Sequence, residues 1–217
     1  MKTRTLIHVS LLMFSAFVLQ SRGQQSDSSA VIHLPPSTRS MRPQPFGLRV
    51  GMTRAEVISE IGKSAVKDTR PQAYGLSMSI TTTPKPNSSF LDFSLKLSDD
   101  GLFEVRAYTP AITSADSGTQ VREKFDEIKE LISAKYGNPQ CYDYRESGAA
   151  DRPDFFMMYL KDKEQHLICY WRVGKDDIAL EAVGLNIQSA ILSVTYQFSP
   201  ELERAKAKMD QKEQSSF

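Results

Sequence analysis

The stretch Leu91-Asp-Phe-Ser-Leu-Lys-Leu-Ser-Asp-Asp-Gly-Leu-Phe-Glu-Val-Arg-Ala107 decides the fold. Leu91, Phe93, Leu95 and Leu97 alternate with Asp92, Ser94 and Lys96. Successive side chains of a strand point to opposite faces, so this run reads as a half-buried strand. Asp100-Gly101 is a hairpin-turn signal, and Phe103, Val105 and Ala107 then alternate with Glu104 and Arg106. A period of two on both sides of a turn implies antiparallel pairing. Tyr74 to Thr83, ended by Pro84 and Pro86, supplies a third strand for this group.

On the N-terminal side the period changes. Thr53 followed by Glu56 is a capping box, Met52 and Val57 are spaced as a hydrophobic staple, and Gly62 can end the helix in a left-handed conformation. The spacing predicts a short helix over 53–61. On the C-terminal side, Val121, Phe125, Ile128, Leu131, Ile132 and Tyr136 form one helical stripe backed by a charged face. Ser117 with Gln120 offers a capping box at its start, and Gly137 followed by Pro139 closes its end.

Four more strand candidates follow: Phe155 to Leu160, His166 to Val173, Ile178 to Leu185 and Ala190 to Phe198, separated by polar turns. The last alternates most cleanly, with Leu192, Val194, Tyr196 and Phe198 on one face. The fold class is therefore α+β, with helices packed on one face of an antiparallel sheet. One folded unit spans 47–198, built from two helix-then-strands repeats, about 47–110 and 114–198. Residues 199–217 read as a polar helical tail, solvated because its apolar content is only Leu202, Ala205 and Met209.

The flanks bear on destination. Lys2 and Arg4 precede the apolar stretch Leu6 to Leu19, which is shorter than the roughly 20 residues a spanning helix needs. Small residues at Ser21 and Gly23 fit a cleavage site, so 1–23 reads as a signal peptide and the protein as exported, periplasmic or extracellular, without stable membrane insertion after cleavage. Residues 24–46, with Pro35, Pro36, Pro43 and Pro45 among many Ser and Gln, read as a tether in which Ala30 to Leu34 could form a brief edge strand. The whole chain has 27 basic and 26 acidic residues. Losing Lys2, Arg4 and Arg22 with the leader and no acid turns a formal charge of +1 into −2. Such a balance lacks the basic footprint of nucleic-acid binding.

Little in the chain points to catalysis. Cys141 and Cys169 are the only cysteines, and in an oxidising compartment two cysteines most often pair; two buried strand thiols are the alternative. Pairing them would contribute roughly 3 to 4 kcal/mol on the chain-entropy estimate. His166 and Cys169 lie at i and i+3 of a strand and so on opposite faces, which argues against a metal site. No glycine-rich phosphate loop is present, and no cofactor is expected. Asn87-Ser-Ser89 fits a glycosylation acceptor and is assigned no function. Asp99-Asp100 and Asp176-Asp177 read as turn residues, and Glu181, between Leu180 and Ala182, as a carboxylate on a solvent-facing strand position.

The aromatic content of the second half is the remaining signal. On the strand from 166 to 173, Trp171 shares a face with Leu167, Cys169 and Val173, while Tyr170 shares the other with Ile168 and Arg172. One face packs on the helix; Tyr and Arg on the other suit a binding surface, and Tyr170, Trp171 and Arg172 are the candidate binding residues.

The run Gly47-Leu-Arg-Val-Gly-Met-Thr-Arg-Ala-Glu-Val-Ile-Ser-Glu-Ile-Gly62 resembles the helix that opens the small periplasmic domains of the outer-membrane assembly lipoprotein SmpA/BamE family. Leu131 to Pro139, with Tyr170-Trp171-Arg172 later in the chain, resembles a helix-to-strand pattern of exported bacterial proteins. That layer is similar to the one in the tandem-repeat β-lactamase inhibitory proteins. The resemblance implies a non-enzymatic domain that offers a sheet surface to a protein or envelope component. The chain lacks the lipid-bearing Cys of the lipoproteins. The competing expectation is an exported hydrolase whose site is assembled from distant residues, with His166 meeting a carboxylate and a Ser.

Overall fold

In the computed structural model, which describes residues 42–146 and 153–215, the alternation around Leu95 lies within a nine-stranded antiparallel sheet. The elements run α1 (Arg54–Ile61), β1 (Val66–Gln72), β2 (Gly75–Ile80), β3 (Asp92–Ser98), β4 (Gly101–Tyr108), β5 (Ile112–Thr113) and α2 (Thr119–Tyr136). The second half continues with β6 (Gln140–Arg145), α3 (Phe156–Lys161), β7 (Gln165–Val173), β8 (Asp176–Asn186), β9 (Ser189–Gln197) and α4 (Ser199–Gln214). The order across the sheet is β1-β2-β3-β4-β9-β8-β7-β6, with β5 pairing β9. Each half is thus a helix followed by a four-strand meander, with α3 inserted in the second. The last strands of the two meanders, β4 and β9, meet at the centre.

One face of the sheet is apolar from β2 to β7. Register aligns Met78, Leu95, Val105, Tyr196, Ile178 and Trp171, and all six are buried in the main core. Helix α2 lies on this face: Tyr136 packs edge-on to Tyr196, Trp171 Nε1 donates to Gly137 O at 2.9 Å, and Arg122 pairs with Asp143. Helix α3 covers the far end of the same face, where Gly184 leaves room for the backbone of Leu160 and Lys161. Helix α1 begins at its capping box, with Thr53 as N-cap and Glu56 accepting from the Thr53 amide, and Met52 and Val57 are both buried.

Several expectations change. Phe155 to Leu160 is not a strand: a 3-10 turn at Pro153–Phe155 leads into α3, anchored where Met157 N donates to Asp116 O. Helix α2 starts without the Ser117–Gln120 box. Gly118, at φ 76°, is its N-cap, and Gln120 Oε1 instead accepts from Ser114 Oγ and Ala115 N. Leu91 lies outside β3 and is exposed, as is Leu131 on α2. The β3–β4 turn is Asp99-Asp100; Gly101 already pairs with Ser98 and, at φ 99°, sits so close to Gly51 that a Cβ would be 2.2 Å from its carbonyl oxygen.

The boundaries shift as well. The signal peptide and the Ala30 to Leu34 stretch lie outside the described residues. The tether gives way to the fold before 46, since Arg42 is hydrogen-bonded to the body, Pro45 is buried, and Phe46 packs on Phe93. The start of the tail packs on the body, while 210–215 are exposed as the polar composition requires. Helix α4 begins where Ser199 Oγ donates to Asp177, and its Lys208 pairs with Asp100, so it crosses the end of the sheet and buries Glu201 and Ala205.

Candidate functional site

The other face of the sheet divides sharply. Across β1 to β4 it is polar: register aligns Arg70, Ser77, Lys96 and Glu104 in one row and Asp68, Ser79, Ser94 and Arg106 in the next. Glu104, itself buried, is held by Lys96 at 3.0 Å and Arg106 at 3.6 Å. Towards β6 the first row continues into Asp177 and Arg172 and the second into Ala179 and Tyr170, while the neighbouring row, that of Asp92 and Tyr108, carries Glu181, Ile168 and Tyr142.

Three tyrosines stand out of this second region. Tyr142, Tyr144 and Tyr170 are 36%, 48% and 45% exposed, an uncommon concentration of aromatic surface on one sheet face. Tyr142 and Tyr170 meet edge to face at 6.2 Å, and Tyr144 stacks on His166 at 4.8 Å. Glu181 lies beside Ile168 with no ion-pair partner among the described residues. Partial burial raises the Tyr170 hydroxyl above the ordinary tyrosine value, with the charge of Glu181 adding to the shift. Tyr170 thus offers a neutral hydroxyl and a partly exposed ring, the combination that enriches tyrosine at binding hot spots.

The three predicted binding residues separate. Tyr170 is exposed as the alternation requires. Arg172 shares its face and pairs with Asp177 at 2.6 Å. Trp171 is corrected: it is 2% exposed, in the core, with its indole N–H committed to Gly137. It supports the surface from beneath and cannot line it. Tyr142 and Tyr144, on a strand that the periodicity did not reveal, complete the patch.

The cysteines are joined. Cys141 and Cys169 sit opposite one another in the β6–β7 register, with Cα atoms 4.0 Å apart and a disulfide between them. His166 Nε2 lies 3.0 Å from a Glu146 carboxylate oxygen, but among the described residues no serine hydroxyl is hydrogen-bonded to it. No group of three or more His, Cys, Asp or Glu side chains is placed to hold a metal ion among the described residues.

Asp176 is the residue misread most. It is not a turn residue: the turn is Gly174-Lys175, and Asp176 opens β8 with 1% exposure. The Arg42 guanidinium grips it through Nε at 2.8 Å and Nη2 at 2.7 Å, and grips the buried Glu201 through Nη1 at 2.9 Å and Nη2 at 2.6 Å. The hydrogen bonds from Arg42 hold Glu201 below the usual carboxylate range, and those same bonds to Glu201 and Asp176 raise Arg42 further above its ordinary value.

The arrangement defines an antiparallel α+β protein of two topologically equivalent halves with an aromatic patch on the uncovered face of one. No family model, curated protein or solved structure matches the chain.

Proposed function

We propose that the protein is an exported, non-enzymatic binding module that takes a protein or cell-envelope component on the open face of β6 to β8. The observation that carries this reading is the cluster of exposed Tyr142, Tyr144 and Tyr170 on adjacent strands, of which β7 buries its other face in the core and β6 is tied to β7 by the disulfide. The Cys141–Cys169 disulfide is compatible with an oxidising compartment, and no helix among the described residues is long and apolar enough to cross a membrane. The resemblance to small periplasmic domains that present a sheet points the same way.

The test is affinity capture from the envelope fraction of the protein's own cell, with wild type and a Tyr142→Ala/Tyr170→Ala double variant side by side. Loss of a specific partner with unchanged circular dichroism supports the reading. An identical set of captured partners with the fold intact would remove it. Trp171→Ala is unsuitable here, because it perturbs the core.

A further inference from the structure

We infer that the groove between α2 and the β2–β3 loop is a binding site for a single-chain amphiphile with an anionic head, of the fatty-acid class. It lies on the helix-covered side of the sheet, so the inference is independent of the open-face reading.

The groove has a volume of about 470 Å³, inside the roughly 300 to 1,000 Å³ range of small-molecule sites. Its lining is largely apolar, with Phe46, Phe90, Ile132 and Tyr136 around it and Leu131 at 57% exposure on the helix wall. Leu131 belongs to the apolar stripe of α2 yet has no core to enter. Phe46 holds a left-handed backbone, φ 54° and ψ 25°, which a residue with a bulky side chain rarely adopts. Its ring is held edge-on against Phe90 at 5.3 Å, Phe93 at 5.1 Å and Tyr196 at 6.0 Å. Backbone strain of this kind clusters at ligand clamps.

The polar groups select the head. Among the described residues no acidic side chain lines the groove, whereas Lys85 and Lys135 both do, and neither has a carboxylate partner there. Lys135 instead lies over the Tyr136 ring at 5.1 Å. Arg42 also borders the groove, but its guanidinium is taken up by Asp176 and Glu201. Tyr196, only 8% exposed, lines the groove and donates to no described residue. Burial, with the Tyr136 hydroxyl adding, keeps the Tyr196 hydroxyl protonated far above neutral pH. A hydroxyl that donates to no described residue, beside the Lys85 and Lys135 ammonium groups, suits an anionic oxygen, and the apolar trough suits the chain attached to it.

The test is isothermal titration of the protein with dodecanoate below its micellar concentration, alongside dodecyltrimethylammonium and acetate. Dodecanoate should bind saturably at one site, acetate should not bind detectably, and the cationic amphiphile should bind at least about tenfold more weakly. Lys85→Glu/Lys135→Glu should weaken dodecanoate about tenfold or more, and Tyr196→Phe about threefold, each with unchanged Tm. Both lysines are exposed, so these variants should fold; Lys85→Gln alone provides a milder version. Equal affinity for the two amphiphiles, dodecanoate binding indifferent to the lysine substitutions, or no saturable binding would each overturn the inference.

Discussion

The two halves of the sheet share a plan and differ in what holds them. In the first half, Met78, Ile80, Leu95 and Leu97 enter the core by simple alternation, and the open face closes on itself through Lys96–Glu104, Lys67–Asp92 and Arg70–Asp68. In the second, long-range ties do the fastening: the Trp171 indole to the end of α2, Cys141 to Cys169 across β6–β7, and Arg42 to Asp176 and Glu201. Where register is fixed from beneath and at the edge, the residues of the outer face are released from structural duty. Tyr170 continues a row that in the first half holds Asp68, Ser79, Ser94 and Arg106, and Tyr142 continues the row of Asp92 and Tyr108, so aromatic side chains in the second half extend rows that are mainly polar in the first. That contrast is the physical basis for locating the binding face there.

Breaking the deepest tie should have the largest effect. Trp171→Ala removes a buried aromatic and orphans the Gly137 carbonyl, and should cost about 4 kcal/mol in chemical denaturation. Tyr170→Ala, one residue earlier on the opposite face, should cost less than about 1 kcal/mol. Similar costs at the two positions would show that the open face is structural after all.

The disulfide comes next. Cys141→Ser/Cys169→Ser opens a loop of sequence separation 28 and should lower stability by about 3 kcal/mol. Hydrogen exchange sharpens the comparison. Amides of the edge strand β6 should lose protection, while those of β1, the edge of the other half, should keep theirs. Equal loss at both edges would mean that the halves are not fastened separately.

How much of this was legible in the sequence follows from where the information lies. Strands β3, β4, β8 and β9 could be read because apolar and polar residue types alternate along them, and α1 because its cap is local chemistry. Strand β1, Val66–Gln72, contains Pro71 and little apolar alternation; it exists because β2 offers it a partner at the edge. The apolar run Phe156-Met-Met-Tyr-Leu160 is too short for its period to distinguish helix from strand, and a backbone bond to Asp116 decides the matter. Of the binding residues, Tyr170 followed from alternation, whereas Trp171 needed knowledge of which face the helix covers. The contact of Arg42 with Asp176 and Glu201 spans 134 and 159 residues, beyond any local pattern.

That clamp supplies the smallest of the three effects and the one with a sign to check. Arg42→Lys keeps the charge but replaces a planar fork making four hydrogen bonds with a point charge, and should cost about 2 kcal/mol at neutral pH. Glu201 is held below its unfolded value by its bonds from Arg42, so its stabilisation is complete above the unfolded carboxylate value of about 4.3 and fades as pH falls through the lower folded value. Arg42 stays charged throughout this window and contributes no titration of its own. Stability of the wild type measured from pH 7 to pH 3 should therefore fall more steeply below about pH 4.3 than that of Glu201→Gln, which has no proton to take up at this position. Parallel curves would mean that Glu201 is not the group whose protonation loosens α4 from β8.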